Sequence, residues 1–501
     1  MSSVRSNFAA NLVGQAWVAL IQLLVVPLYL KLLGIEAYGL IGFFVTLQIT
    51  LQVLDLGLGQ TLMREIARRK AVENGLADAR SLVRTVAFLY CALAALIGMV
   101  VVLAAPMLAS DVIHAEKLDQ SSVRDAIMLM GLLIPVLWGA SLFQGTLMGM
   151  ERQVLANGVR IVSATVGAVG AVLLLWLVSP EITAFFTWQL LVGIATWIVT
   201  GWMVHRALPR GPSLFNPALL KGLWGFAAGM SGIAVGGTIL MQLDKWLLIN
   251  LLPLGDYGHY ILAAVVANAL YLVITPLFSS IFPRMTVLRA QGDEDGLARL
   301  YHSSAQYIAT LVLPMATVIA LFSEEILRLW TQDPEIARGA APVVSILVWG
   351  TALNGLMNIP YALQLAAGRT GLALKLVVFK LVLFGPAIVL LTLKFGVTGA
   401  AMAWLLLNAV YVVIGIPLTH ASLLRGHGVT WAVKDVLPAA TAASAVGVLA
   451  FILRPTGGSL LASLTFIGAT AVVTLLAAGL VTNEPRSWLI LQAKRIGLAR
   501  S

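Results

Sequence analysis

The sequence predicts an all-α polytopic membrane protein: about fourteen transmembrane helices, as two pseudo-symmetric six-helix lobes around a central cavity plus two C-terminal helices. Three observations carry this. Hydrophobic residues make up 60% of the 501 and charged residues 11%, with a mean hydropathy of +0.94, where a soluble domain has roughly 45–50% and 25%. Apolar runs long enough to span a bilayer, about 20 residues each, recur along the whole chain. The chain also repeats itself at a spacing of about 220 residues.

The runs fall near 8–33, 38–62, 82–109, 125–149, 154–178, 182–205, 221–251, 258–282, 303–323, 341–366, 371–393, 397–420, 433–453 and 459–482. The first follows a single Arg and lacks an A-x-A-like stop, so it reads as a membrane span rather than a cleaved leader. The repeat shows in three places. Tyr38-Gly39 recurs as Tyr257-Gly258, 219 positions on; Gly75-Leu76-Ala77 recurs as Gly296-Leu297-Ala298, at 221; and MGMER around Gly149 recurs as AAGRT around Gly368, at 219. Each copy holds six spans, so both enter the membrane in the same orientation, as parallel repeats do. The expected domains are an N-lobe (1–206), a linker (207–221), a C-lobe (222–425), a last helix pair (426–483) and a basic, amphipathic tail (484–501) on the inner leaflet.

Charge supplies the orientation. The formal net charge is +10, but the cations sit in short loops, so nucleic acid is not an expected partner. Of 32 Lys and Arg, 23 lie at the termini or in loops after even-numbered spans and eight on the other side. By the positive-inside rule both termini are cytoplasmic. The one cysteine, Cys91, lies within an apolar run, which leaves no disulfide framework and no cysteine metal site. There is no G-x-x-x-x-G-K-[ST] loop, no H-E-x-x-H, and no histidine with a carboxylate at helical spacing inside a span. An enzyme is not expected, nor is a cofactor.

Polar residues inside the spans are the candidate site. Asn7, Asn11, Gln15, Gln22 and Tyr29 fall within about 80° on the first span at 100° per residue. Gln48, Gln52, Asp55 and Gly59 share a face of the second; Ser231, Thr238, Gln242 and Lys245 one of the seventh. The eighth carries Tyr257, Asn268, Thr275 and Ser279, and the tenth Thr351, Asn354, Asn358 and Tyr361. Amides are costly against lipid, so these faces turn inward. Each stripe fits interhelical hydrogen bonding or a cavity wall; five, divided between the two copies, favour a shared hydrated cavity. Arg160 and Lys380, 220 positions apart, are cations inside matching spans, and both are candidate ligands for an anion. Lys375 and Lys245 fit either that role or snorkelling to an interface. Carboxylates are few: Asp244 reads as a neutraliser of Lys245, and Asp55 as an Arg partner or a site for a coupling proton or cation. Gly225, Gly229, Gly232 and Gly236 on the seventh span are spaced for close helix packing.

The stretches LLGIEAYG (32–39), VLDLGLGQTLMREIARR (53–69), QLDKWLLINLLPLGDYGHY (242–260) and FPRM (282–285) resemble the polysaccharide (O-antigen type) flippases of the multidrug/oligosaccharidyl-lipid/polysaccharide exporter superfamily. The resemblance covers about residues 5–425. It implies two six-helix lobes and transport of undecaprenyl-pyrophosphate-linked glycans across a bacterial inner membrane, with the polyprenyl-pyrophosphate-linked glycan and the bilayer as partners, alongside a polysaccharide polymerase or other assembly proteins. The last helix pair is similar to that of the lipid II flippases, although the first span has Asn and Gln where those carry arginines. Under this resemblance Arg160, Lys380, Lys375 and Lys245 would meet the pyrophosphate and the amide stripes the sugars. The alternatives are a drug/cation antiporter of the same superfamily, dependent on Asp55, a membrane glycosyltransferase or polymerase, and a lipid-binding scaffold. The topology is directly testable. In a Cys91→Ser background, Ser121→Cys should react with an impermeant thiol reagent in intact cells, and Ser487→Cys only after permeabilisation.

Overall fold

The computed structural model describes residues 2–55, 58–70, 76, 79–209, 215–216, 231–455 and 460–495. These are overwhelmingly helical, with no strand among them. Eleven helices among the described residues are long and apolar enough to cross a membrane. Two of them are bent at a left-handed glycine: α1 (Ser2–Gln52) at Gly34, φ 82°, and α14 (Thr370–Leu423) at Gly396, φ 58°. A side chain is strained in that backbone region, so each long rod is two helices folded back at a glycine. The apolar runs 8–33 and 38–62, like 371–393 and 397–420, lie on either side of these bends. The chain divides into two compact units, Met1–Gly258 and His259–Ser501.

In the first unit the LLGIEAYG motif makes a corner. Gly34 turns the chain, and Glu36, buried two residues later, accepts the backbone N–H groups of Glu116 (3.3 Å), Lys117 (2.9 Å) and Leu118 (3.0 Å). A buried carboxylate needs such donors; here they staple the loop before α4 onto the bend. The second span is shorter than its apolar run suggests. Helix α1 stops at Gln52, a 3-10 turn follows over Val53–Asp55, and α2 (Leu58–Lys70) starts afresh, because the Asp55 carboxylate takes the Gly59 N–H at 3.2 Å. Leu58, Thr61, Leu62 and Ile66 form the buried face of α2. On its other face Glu65 holds Arg68 and Arg69 at 2.8 and 2.9 Å, and the Arg68 hydrogen bond keeps the Glu65 carboxyl below its usual range.

Helices α3 (Ala79–Met107) and α4 (Gln120–Gly149) cross backbone to backbone, since a β-carbon on Gly131 would come within 2.8 Å of the Gly98 carbonyl. Asp119 caps α4 through Ser121 and Ser122, which hold its carboxyl down at about 2. Helices α5 (Gln153–Leu177), α6 (Ile182–Ala207) and α7 (Ser231–Leu251) complete the unit, with the start of α8 (Leu254–Asn268). Trp246 of α7 donates to Thr50 at 2.8 Å, and Gly39 lies so close to α8 that a β-carbon would approach the Leu254 carbonyl to 2.9 Å. Gly225 and Gly229 lie outside the described residues.

The second unit continues through α9 (Tyr271–Gln291), α10 (Glu294–Leu321), α11 (Ser323–Thr331), α12 (Pro334–Leu356), α13 (Asn358–Ala366), α14 and α15 (His427–Thr430). A π-helical turn at Trp431–Val436 then leads into α16 (Leu437–Ile452), α17 (Leu460–Val481) and α18 (Asn483–Arg495). The runs 258–282 and 341–366 are each broken, between α8 and α9 and again at Met357. Aspartates mark helix starts: Asp293 caps α10, and Asp333, followed by Pro334, caps α12.

Two glycines should respond differently to alanine. At Gly34 nothing stands within 4 Å of an added β-carbon, so the cost is backbone strain alone, about 1–3 kcal/mol. At Gly258 the β-carbon would collide with the Ile35 carbonyl. Gly258→Ala should lower the detergent-solubilised melting temperature more than Gly34→Ala; the reverse order would mean the corner is not packed as described.

Candidate functional site

Lys380 sits on α14, 8% exposed, with its Nζ 4.0 Å from the centroid of the Tyr411 ring on the second half of the same bent helix. No carboxylate pairs with it among the described residues. The bend at Gly396 is what brings the two together. Lys375, five residues earlier, is exposed, so the two lysines do not converge.

Arg160, half-buried on α5, follows Asn157 by almost one turn. Buried Asn157 donates to Asn11 of α1 at 2.5 Å. The spacing here departs from the 219 to 221 positions between the sequence markers. Glu151 and Gly368, both left-handed, lie 217 positions apart, as do Arg152 and Arg369, the caps of α5 and α14. Lys380 is therefore about one turn deeper in its helix than Arg160, since it lies eleven residues past its cap, Arg369, and Arg160 eight past Arg152.

Lys245 is not a free cation. Its Nζ lies 2.9 Å from both Asp244 carboxylate oxygens and donates to the Met241 carbonyl at 2.9 Å, as expected of a neutralising neighbour. Gln242, beside this pair, is buried. Asp55 caps α2 and faces the Tyr90 hydroxyl.

The amide stripes separate into two kinds. Asn354 accepts from Tyr271 at 2.9 Å and donates to Asn408 at 2.8 Å; Asn408 in turn donates to the Trp404 carbonyl at 2.9 Å. This chain ties α9, α12 and α14 together, which is interhelical bonding. Asn358 only donates to the Asn354 carbonyl on the preceding turn, at 3.0 Å. Gln15, Gln22 and Gln52 on the first-unit helices and Asn268 at the end of α8 are exposed, and Gln48 is half-buried. The Asn7 side chain lies outside the described residues.

One cluster was not visible in the sequence. His302 of α10 bonds Asp435 through Nδ1 at 2.5 Å and His427 through Nε2 at 2.8 Å. Gln306, one turn on, donates to the other Asp435 oxygen at 2.9 Å. Asp435 is 1% exposed. Separations of 125 to 133 residues hide this group from any search at helical spacing.

With this geometry in hand, the comparisons are direct. A family model described as polysaccharide biosynthesis protein matches residues 4–288, and the MatE model matches 239–391. The first covers more than half of the chain: the protein belongs to the polysaccharide biosynthesis protein family, the polysaccharide flippase branch of the multidrug/oligosaccharidyl-lipid/polysaccharide exporter superfamily. A Shigella flexneri protein assigned as an O-antigen transporter is 20% identical over 403 residues, 80% of this chain and 94% of that protein. Among solved structures, the inward-closed lipid II flippase MurJ aligns with TM-score 0.72 at 12% identity, over 95% of this chain and 99% of its own. An inward-facing multidrug MATE transporter aligns with TM-score 0.67 at 15% identity, over 81% and 94%. At these identities the structures attest the fold. The protein is thus a multi-pass membrane transporter, and its relatives are transporters and flippases rather than enzymes.

Replacing Asn354 by Leu would strand Tyr271 and Asn408, at about 1–3 kcal/mol. Asn358→Leu breaks only a bond within one turn. The melting temperature should fall clearly for the first and little for the second; equal losses would show that the Tyr271–Asn354–Asn408 chain does not hold the helices.

Proposed function

We propose that this protein is a flippase that carries undecaprenyl-pyrophosphate-linked oligosaccharide repeat units from the cytoplasmic to the periplasmic face of the inner membrane by alternating access. Both termini are cytoplasmic in this reading, and a polysaccharide polymerase or other assembly proteins act downstream. The observation that carries it, beside the family match, is Lys380: a cation deep in an apolar helix, partnered by an aromatic face rather than a carboxylate. An unbalanced buried charge is costly, and an anionic head group offsets that cost when it binds. Arg160, half-buried one turn after the Asn11–Asn157 contact, supplies a second cation on α5. Lys245, already neutralised, and Lys375, exposed, are weaker ligands and serve better at the rim.

The MatE match over 239–391 favours one other reading, a drug/cation antiporter. That chemistry needs an acidic group able to release its partner. Asp244 is held by Lys245 and Asp55 caps a helix, which supports the anionic substrate.

The two readings separate in cells lacking a glycan flippase, complemented by this protein and tested against several repeat units. Lys380→Ala with Arg160→Ala should abolish export at normal expression, and Lys380→Arg should retain part of it. Full export by the double variant, or a change confined to cation-driven dye efflux, would overturn the flippase reading.

A further inference from the structure

His427, His302 and Asp435 stand in series. His427 and His302 line a cavity of about 460 Å³ together with Asp295, Arg299, Gln306 and Glu484. Hydrogen-bond stereochemistry limits what this row can hold. A neutral imidazole has one N–H and one lone pair. With Asp435 ionised, His302 donates from Nδ1 to its Oδ2, so His302 Nε2 accepts from Nδ1–H of His427. The remaining nitrogen, Nε2 of His427, keeps a lone pair on a residue that lines the cavity.

A proton added there makes His427 an imidazolium without breaking a bond. Passing the Nδ1 proton across the 2.8 Å link turns His302 into the imidazolium, again with every bond kept and now directly against the Asp435 carboxylate. A second proton would leave two donors facing each other across the same link. This stereochemistry leaves the row room for one added proton, which can pass along it toward a carboxylate that is 1% exposed. It is not a metal site, since both nitrogens of His302 are already engaged.

The surroundings suit that role. Gln306 fixes Asp435 from α10 and accepts the Glu484 N–H of α18 at 2.9 Å. Tyr301 contacts the rings of both His302 and His420 edge-on. His420 of α14 commits Nδ1–H to the Ile416 carbonyl at 2.8 Å, and its Nε2 is buried without a partner among the described residues. Asp435 lies on the π-helical turn Trp431–Val436, a distortion that recurs at functional sites.

We propose that His427–His302–Asp435 is a one-proton relay, and that the ion coupled to transport is a proton carried on it. The coupling half rests on the flippase reading; the relay half does not. The relay is tested on the full-length protein in nanodiscs with ¹⁵N-labelled histidine. The spectrum should show a coupling across the His427–His302 link, and a single imidazolium shared by the two rings on acidification. Two independently titrating histidines would overturn the relay.

Coupling is tested in proteoliposomes that flip a polyprenyl-pyrophosphate glycan. For one proton per cycle, each unit of imposed pH gradient can sustain roughly tenfold asymmetry. His302→Asn keeps a donor to Asp435 but cuts the row, so the asymmetry should vanish while the melting temperature holds. His427→Gln, which ends the row at its cavity side, should do the same and serves if the first variant unfolds. Gradient-driven asymmetry surviving in a folded variant would overturn proton coupling here. Wild-type protein that moves no glycan under any gradient, yet shows the shared imidazolium, would sink the flippase reading and leave the relay standing.

Discussion

Everything in this molecule answers to one constraint: a polar group carried into hydrocarbon must find its partner within the protein. The constraint explains which residues bond to which. Asn157 meets Asn11, Asn354 meets Asn408, Lys245 meets Asp244 and Asp435 meets His302. Each pairing joins different helices or satisfies a charge next to itself. What the constraint leaves over is informative: Lys380 is a buried cation that leans on an aromatic face, and this is the ground for proposing it as the ligand of an anionic head group.

The same logic explains the corners. A bent rod such as α1 exposes backbone at its bend, and the structure answers with close approach and with Glu36. Its carboxylate gathers the N–H groups of Glu116, Lys117 and Leu118, so the loop before α4 folds against the bend instead of standing free. At the expected repeat spacing of 219, Gly34 corresponds to Pro253, and the Leu254 N–H donates to the His114 carbonyl at 2.7 Å. One loop of the first unit thus secures the corner of α1 and the start of α8.

Much of this was legible in the sequence, for physical reasons that also mark where legibility ended. Apolar runs report helices because burial in lipid is a property of each residue alone, and Gly34 and Gly396 fell between the runs as turns should. The end of the second span was missed because Leu58 and Leu62 belong to an amphipathic helix whose buried face reads like a continuing apolar run, while the break depends on the cap from Asp55. Asn354 and Asn358 appeared equivalent at i and i+4, yet one binds across helices and the other along its own. Periodicity assigns a face, and only packing assigns the partner. Arg160 and Lys380, 220 positions apart, differ by a turn in depth because the caps of their helices, Arg152 and Arg369, are only 217 apart.

The histidine row is the limiting case. Its members come from α10, from α15 and from the π-helical turn beyond it, and the last two lie past the expected repeat, which ends at 425. No sequence periodicity relates them. Their meeting gives the last helices a connection to α10 beyond apolar packing. Gln306 accepts the first-turn N–H of Glu484 while holding Asp435, and Thr310, one turn further along α10, bonds Thr482 at 2.9 Å just before it. One face of α10 thereby holds both ends of the segment from His427 to Glu484. In the proposed alternating-access cycle, a change in charge at His302 would act on the joint between α10 and the helices that follow α14.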